Sequence, residues 1–217
     1  MKIQNKELKR RIIEISYRHK LSHLGSCLTA VDIIKDIYDT KKPDEKFVLS
    51  QGHAGLALYI ILEKKYGYTA ESLLEVCGIH PDRLVAESCI DCSTGSLGQG
   101  LPIALGMALA DRTKNVYCLI SDGELSEGSI YEAFNVMKKL CVENLKVFIN
   151  YNGYGGYGEA INPYDLFAGE YPNPGIFEFL ARVVEADVNY LPFVAGLKGH
   201  YHIMSESDYL QAMEILK

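Results

Sequence analysis

Apolar positions recur with helical spacing from the start of the chain. Leu8, Ile12, Ile13, Ile15 and Ser16 share one face of a helix predicted over 5–19. After a polar break at Lys20-Leu-Ser-His-Leu-Gly25, Thr29 and Asp32 stand three apart, as a capping box for a helix over 30–39. Phe47-Val-Leu-Ser50 reads as a short strand. A strongly apolar helix over 53–66 follows, ended by Gly67, and Thr69 caps another over 70–77, ended by Gly78. Residues 79–96 are loop-rich. Small residues dominate a helix over 98–111, which lets its backbone lie close to a neighbour. The next pattern is strand 116–121, helix 126–141, strand 145–151, with short links. That is a βαβ unit, whose two strands must be parallel. Beyond it come a Pro-rich loop (Pro163, Pro172, Pro174), a helix near 176–186, a strand at 189–195, and a helix over 206–216 capped by Ser205 and Asp208. No repeat or domain-sized linker interrupts the order, so 1–217 reads as a single α/β domain.

Composition changes little in this picture. The 217 residues are 48% hydrophobic and 23% charged, enough for one α/β core. A net charge of −6 disfavours nucleic acid as a partner, since phosphate binding needs a basic face. The basic, amphipathic start has no continuous apolar stretch of a secretory signal, and no apolar run nears the ~20 residues that span a bilayer. A cytoplasmic protein without membrane contact is expected, with its six scattered cysteines reduced. Cys89-Ile-Asp-Cys92 lacks the further ligands of a zinc site.

The chemistry lies in two loops. In an open parallel sheet, ligands sit beyond the carboxyl ends of the strands. One such end carries Ser121-Asp122-Gly123-Glu124, the other Asn152-Gly153-Tyr154. A single crossover puts Asp122 and Asn152 at the same edge of neighbouring strands. One carboxylate, one amide oxygen and backbone carbonyls suit Mg²⁺ or Ca²⁺ completed by phosphate oxygens and water. The N-terminus of the following helix would favour an anion there. The plainer alternative is that Asp-Gly and Asn-Gly are two turns.

Asp122-Gly-Glu-Leu-Ser-Glu-Gly128, with Asn152 thirty residues after Asp122, resembles the thiamine diphosphate signature. Ser93-Thr-Gly-Ser-Leu-Gly-Gln-Gly100, Phe47-Val-Leu-Ser-Gln-Gly-His53, His80-Pro-Asp-Arg83 and Ser22-His23-Leu-Gly25 narrow the resemblance to the transketolase family. Gly199-His200 resembles a later element of that family. The order is kept from about residue 8 to the C-terminus, in the style of the separate N-terminal subunit of a two-gene transketolase. The resemblance implies a parallel-sheet, diphosphate-binding α/β fold with helices on both faces. It implies that Asp122, Asn152 and the Tyr154 carbonyl hold Mg²⁺ (or Ca²⁺), and that Gly95, Leu97, Ser121, Gly123 and Asn152 contact thiamine diphosphate. Glu127 would belong to a subunit interface or a carboxylate relay near the cofactor. His23, His53 and His80 would line the channel to the reactive carbon, bind sugar hydroxyls and move protons. His200 and His202 are as well explained by capping or packing, and His19 by solvation.

The sequence departs from the family pattern at several points. Ser121 replaces a glycine, Ser22 stands where a glycine precedes the histidine, and Tyr154-Gly-Gly-Tyr-Gly158 replaces an Ile-Asp-Gly-like segment. The stretch Gly155–Glu159 is expected to be a loop over the cofactor. Ending at Lys217, the chain is expected to leave the sheet trimmed at its C-terminal edge. In the family, the glutamate that activates the aminopyrimidine ring and the basic groups that grip sugar phosphate lie in a second, pyrimidine-binding domain. The resemblance therefore implies a partner subunit carrying that domain, in a homodimer or heterotetramer acting on sugar phosphates. The expected activity moves a two-carbon ketol unit from a ketose to an aldose. The alternatives are the α subunit of another thiamine diphosphate enzyme, a 2-oxo acid dehydrogenase or decarboxylase, and a non-catalytic cofactor-binding scaffold.

Overall fold

The computed structural model describes residues 3–84, 89–155, 158–170 and 179–217. The chain begins with two helices, α1 (Lys6–His19) and α2 (Leu24–Thr40), then β1 (Lys46–Leu49), α3 (Gly55–Tyr66), α4 (Ala70–Cys77) and α5 (Gly100–Ala110). The βαβ unit follows as β2 (Val116–Ser121), α6 (Gly128–Lys139) and β3 (Leu145–Tyr151). A small hairpin, β4 (Tyr154–Gly155) and β5 (Gly158–Glu159), precedes α7 (Pro163–Glu170), β6 (Arg182–Glu185), α8 (Gly196–His200) and α9 (Glu206–Ile215). Among the described residues the main sheet has the order β1-β2-β3-β6, with every pairing parallel.

Both faces of the sheet are covered, and the strand residues alternate between them. Phe47, Leu49 and Leu119 join the core under α1, α2, α3 and α9, where Ile12, Ile13 and Ile34 are fully buried. Val48, Cys118, Ile120, Val147 and Ile149 join a second core under α5, α6 and Phe167 of α7. Each fully buried aliphatic side chain contributes roughly 1.5–3 kcal/mol of transfer free energy. This two-sided burial explains why the strands read as near-continuous apolar runs. No helix among the described residues is long and apolar enough to cross a membrane.

Several expected elements are displaced, each for a local reason. α2 begins at Leu24, not at residue 30. Thr29 lies inside it, its hydroxyl donating to the carbonyls of Gly25 and Ser26, so it caps nothing. The helix near 176–186 is overturned over Arg182–Glu185, whereas Phe179 and Leu180 are helical. Leu180, Val183 and Val184 have helical spacing, yet Arg182–Glu185 pairs in register with Phe148–Tyr151. The open edge of β3 prevails over local periodicity there. Residues 176–178 lie outside the described residues. The strand at 189–195 is instead a short 3₁₀ turn at Pro192–Val194, where Pro192 has no N–H to give a ladder. Pro163 opens α7 rather than a loop, with the Asn162 side chain accepting from the Tyr164 amide. The helix placed at 98–111 starts at Gly100, and that placed at 126–141 starts at Gly128 after a 3₁₀ turn, Asp122–Ser126. The stretch expected as a loop over 155–159 forms part of the hairpin, pairing Tyr154 with Glu159 and Gly155 with Gly158. Gly156 and Tyr157 lie outside the described residues.

Candidate functional site

Three strand ends meet at one edge of the sheet. β1 runs into buried Ser50 and Gln51, then a 3₁₀ turn carrying His53. β2 runs into Asp122, and β3 into Asn152. The register pairs Ser121 with Asn150, which brings the two latter loops side by side. The Gly-rich segment 93–100 closes over the β1 end. A Cβ on Gly52 would come within 2.8 Å of the Thr94 backbone, and one on Gly100 within 2.5 Å of the Ser50 side chain. Backbones approach this closely only because glycine stands at both positions. The result is a cleft of about 210 Å³, lined by His23, His53, His80, Gly95, Leu97, Ser121, Asp122, Gly123, Asn152 and Tyr154. All the residues expected at the site except Glu127 are in that wall. A larger cavity of about 340 Å³, beside the Lys9–Asp32 ion pair and Tyr190, contains none of these groups.

Asp122 is fully buried. Its Oδ2 accepts from the amides of Asn152 (2.9 Å) and Gly153 (2.7 Å), and its Oδ1 accepts from its neighbour Gly123 (2.9 Å). These bonds favour the carboxylate, but burial outweighs them and pushes the group up to about 6. Asn152 folds its side-chain oxygen onto the Tyr154 amide at 3.1 Å. Gly153 takes φ +85°, which allows this sharp turn. The 3₁₀ turn comes between Asp122 and α6, so the N-terminus of α6 does not follow Asp122 directly as expected. Ser121 has extended backbone (φ −92°, ψ 160°), so the position needs no glycine, and its hydroxyl lies 3.4 Å from Glu124.

The histidines form a cluster. The ring centroids of His23 and His53 lie 5.2 Å apart, and those of His23 and His200 lie 4.5 Å apart at 80°. His200, not selected from the sequence, completes the group at 5.6 Å from His53. Its carbonyl accepts from the His23 amide at 2.9 Å, tying α8 to the start of α2. Burial, reinforced by the neighbouring imidazoles, lowers His53 to about 3 and His23 to about 4; burial lowers His200 as well. At neutral pH these three rings are uncharged, and each can donate one hydrogen bond and accept another. His23 is strained: it stands at the N-cap of α2 with φ 61°, a left-handed conformation uncommon outside glycine. Ser22 bonds its Nδ1 at 2.8 Å and fixes the ring. The His80 ring packs beside Gly95, where a Cβ would meet it at 3.3 Å.

Glu127 is outside the cleft wall, at the N-cap position of α6, so it does not face the cofactor position as Gly95 or Asp122 do, and its Cβ lies 2.7 Å from where a Cβ on Gly98 would fall. His202 is also outside, bonded to Asp208 at 2.9 Å. Ser26 and Tyr201 line the cleft without having been singled out. The Gly199-His200 pair was the available signal for His200, but a two-residue motif is too short to separate a site histidine from a packed one. Glu124 was missed too. It is fully buried behind the cleft, and its signal was its place three residues after Ser121, the spacing of a capping box.

Gly98 joins the Gly-rich segment to the start of α6. It has φ +77°, and a Cβ there would lie 2.6 Å from Ser129 Oγ and 2.7 Å from Glu127 Cβ. Gly98→Ala is expected to cost about 2 kcal/mol, from left-handed strain plus overpacking, read as a lower urea midpoint at unchanged slope.

The family model for the transketolase thiamine diphosphate binding domain matches residues 21–161. An apulose-4-phosphate transketolase subunit of Phocaeicola vulgatus is 31% identical over 175 residues, covering 70% of this chain and 60% of that protein. The 6-deoxy-6-sulfo-D-fructose transketolase subunit SqwG of a Clostridium species is 36% identical over 166 residues, covering 66% of this chain and 60% of that protein. Human transketolase is 35% identical over 153 residues, covering 61% of this chain and 24% of that protein. The chain thus spans 60% of the length of the two subunits and about a quarter of the human enzyme. In fold it superposes on transketolase from Campylobacter jejuni with a TM-score of 0.76 at 20% identity, over the whole of this chain and 43% of that one. The match over 21–161 contains both strand-end loops and the histidines His23, His53 and His80, and by it the chain belongs to the transketolase family, as a bearer of its thiamine diphosphate binding domain.

Proposed function

We propose that this chain, as a single domain, is the diphosphate-binding subunit of a two-chain transketolase, moving a two-carbon ketol unit from a ketose to an aldose. The observation that carries the reading is Asp122, a fully buried carboxylate at the meeting of two strand ends, in a cleft walled by histidines. Among the described residues, no lysine or arginine lines that cleft. A diphosphate could not rest beside Asp122 without a cation between them. The oxygen donors present suit Mg²⁺ or Ca²⁺, with few protein ligands and the rest from phosphate and water. Asp122, the Asn152 side-chain oxygen and the Tyr154 carbonyl would hold the ion. Ser121 and Gly123, with Gly95 and Leu97 opposite, would contact the cofactor.

When bound, thiamine diphosphate supplies the electron sink that a ketose needs to release a two-carbon unit. The chain's own contribution is orientation and proton movement. His23, His53 and His200 present neutral imidazoles, and together with His80 they bind sugar hydroxyls and shuttle protons between carbinol and carbonyl oxygens. Relatives named as transketolase subunits support a second polypeptide that carries the pyrimidine-binding domain. On this reading the active form is a heterotetramer in the cytoplasm, with sugar phosphates as substrates. The test is co-purification with the product of the adjacent reading frame, followed by a ketol-transfer assay. Transfer by the pair but not by either chain alone is expected. Transfer at a full rate by this chain alone would sink the partner requirement, and a pair that binds no thiamine diphosphate would sink the reading.

A further inference from the structure

Behind the cleft lies a buried carboxyl group that the proposed chemistry does not use. Glu124 is fully buried and lies outside the cleft wall, so it touches neither cofactor nor substrate on the reading above. Its Oε1 accepts from Ser50 Oγ (2.5 Å) and from the Gly98 amide (2.9 Å). Its Oε2 accepts from the Ser121 amide at 2.8 Å, with the Ser121 hydroxyl at 3.4 Å. These donors come from three separate segments: the end of β1, the Gly-rich loop, and the end of β2. Ser50 extends the network, because its oxygen also accepts from the Gly100 amide at 3.1 Å. A hydroxyl that gives its proton to Glu124 keeps its lone pairs for Gly100.

We infer that Glu124 is a positioning residue, the common acceptor that fixes the three segments of the cofactor cradle at their working separation. Two of its donors are backbone N–H groups, which cannot reverse. Each carboxylate oxygen faces one of them. A side chain with only one acceptor end must leave either Gly98 or Ser121 facing an N–H. Glycine contacts hold the same segments sterically: Gly100 abuts Ser50, and Gly98 abuts Glu127 and Ser129. These prevent closer approach but cannot draw the loops together, and Glu124 supplies that pull. Gly95 and Leu97 on one loop and Ser121 to Gly123 on another are cleft walls, so the separation that Glu124 sets is the width of the cleft.

The inference rests on the cofactor reading, and its test separates the two. Glu124→Gln keeps volume and removes one acceptor end. Amide hydrogen exchange of Gly98 and Ser121 is measured without cofactor in the full chain, wild type and variant, beside thermal unfolding. Thiamine diphosphate affinity is then measured with Mg²⁺ present. Glu124→Gln is expected to speed exchange at Gly98 or Ser121 at least tenfold, leave amides in α3 unchanged, and weaken the cofactor about tenfold or more. Ser50→Ala, which leaves both backbone donors paired to Glu124, should weaken it less. If wild type binds and Glu124→Gln binds equally, the inference falls while the cofactor reading stands, even if exchange at the two amides rises. Exchange that rises equally across the chain would reduce Glu124 to a general stabiliser and overturn it as well. A wild-type chain, with its partner present, that binds no thiamine diphosphate would remove the reading and the inference together.

Discussion

Asp122→Asn is expected to weaken thiamine diphosphate in the presence of Mg²⁺ about 10³-fold, the ~4 kcal/mol that removing one charge from a buried ionic contact costs. Ketol transfer by the assembled enzyme should fall in proportion. The expectation rests on how little else in the cleft is charged. Among the described residues lining it, Asp122 is the single carboxylate and no lysine or arginine shares the work. An asparagine amide can still accept from Asn152 and Gly153 through its oxygen, but its NH₂ then faces the Gly123 amide, where Oδ1 now accepts. A modest loss of stability, about 1 kcal/mol, accompanies the substitution. Calorimetric titration and urea unfolding on the same protein separate the two effects. A variant that binds as tightly as wild type would show that the cation, or the diphosphate itself, is held elsewhere.

How much of this was legible beforehand depends on the distance over which each signal acts. Asp122 and Asn152 could be placed together because a βαβ unit fixes the relation of two parallel strand ends within thirty residues. The ends of α3 and α4 were legible because Gly67 and Gly78 take positive φ and the Thr69 hydroxyl accepts from Ser72, all local devices. Arg182–Glu185 was not legible, since Val183 and Val184 suit either structure and only the edge of β3, more than thirty residues away, decides between them. His200 was in the same position: its neighbours His23 and His53 come from the other end of the chain. Glu124 escaped because its partners Ser50 and Gly98 lie 74 and 26 residues away, though its bond to Ser121 is local. For Glu127 the motif gave a position in the sequence but not whether the side chain enters the cleft wall; it stands just outside, at the N-cap of α6.

His53→Asn is expected to lower ketol transfer about 10²-fold or more, the usual contribution of a positioned proton-transfer group. It should also change how stability responds to acid. His53 faces His23, His80 and His200, and burial with these neighbours brings it to about 3 in the folded chain against 6.5 in the unfolded one. Between those values the unfolded chain binds the proton and the folded chain refuses it. The stability associated with a neutral His53 is therefore complete above about 6.5 and is lost progressively as the pH falls towards 3. By pH 5 the loss from this residue is about 2 kcal/mol. His23, lowered to about 4, acts in the same direction. Asp122 acts oppositely: raised to about 6, it burdens the folded state above that pH and is relieved as it takes up a proton. Because Asp122 and His23 are common to both proteins, the difference between wild type and His53→Asn isolates His53. Urea unfolding at pH 7.5 and pH 5 should show the smaller acid loss in the variant, by about 2 kcal/mol. Equal losses would mean that His53 takes up its proton as readily in the folded chain as in the unfolded one, and that burial does not hold this imidazole neutral.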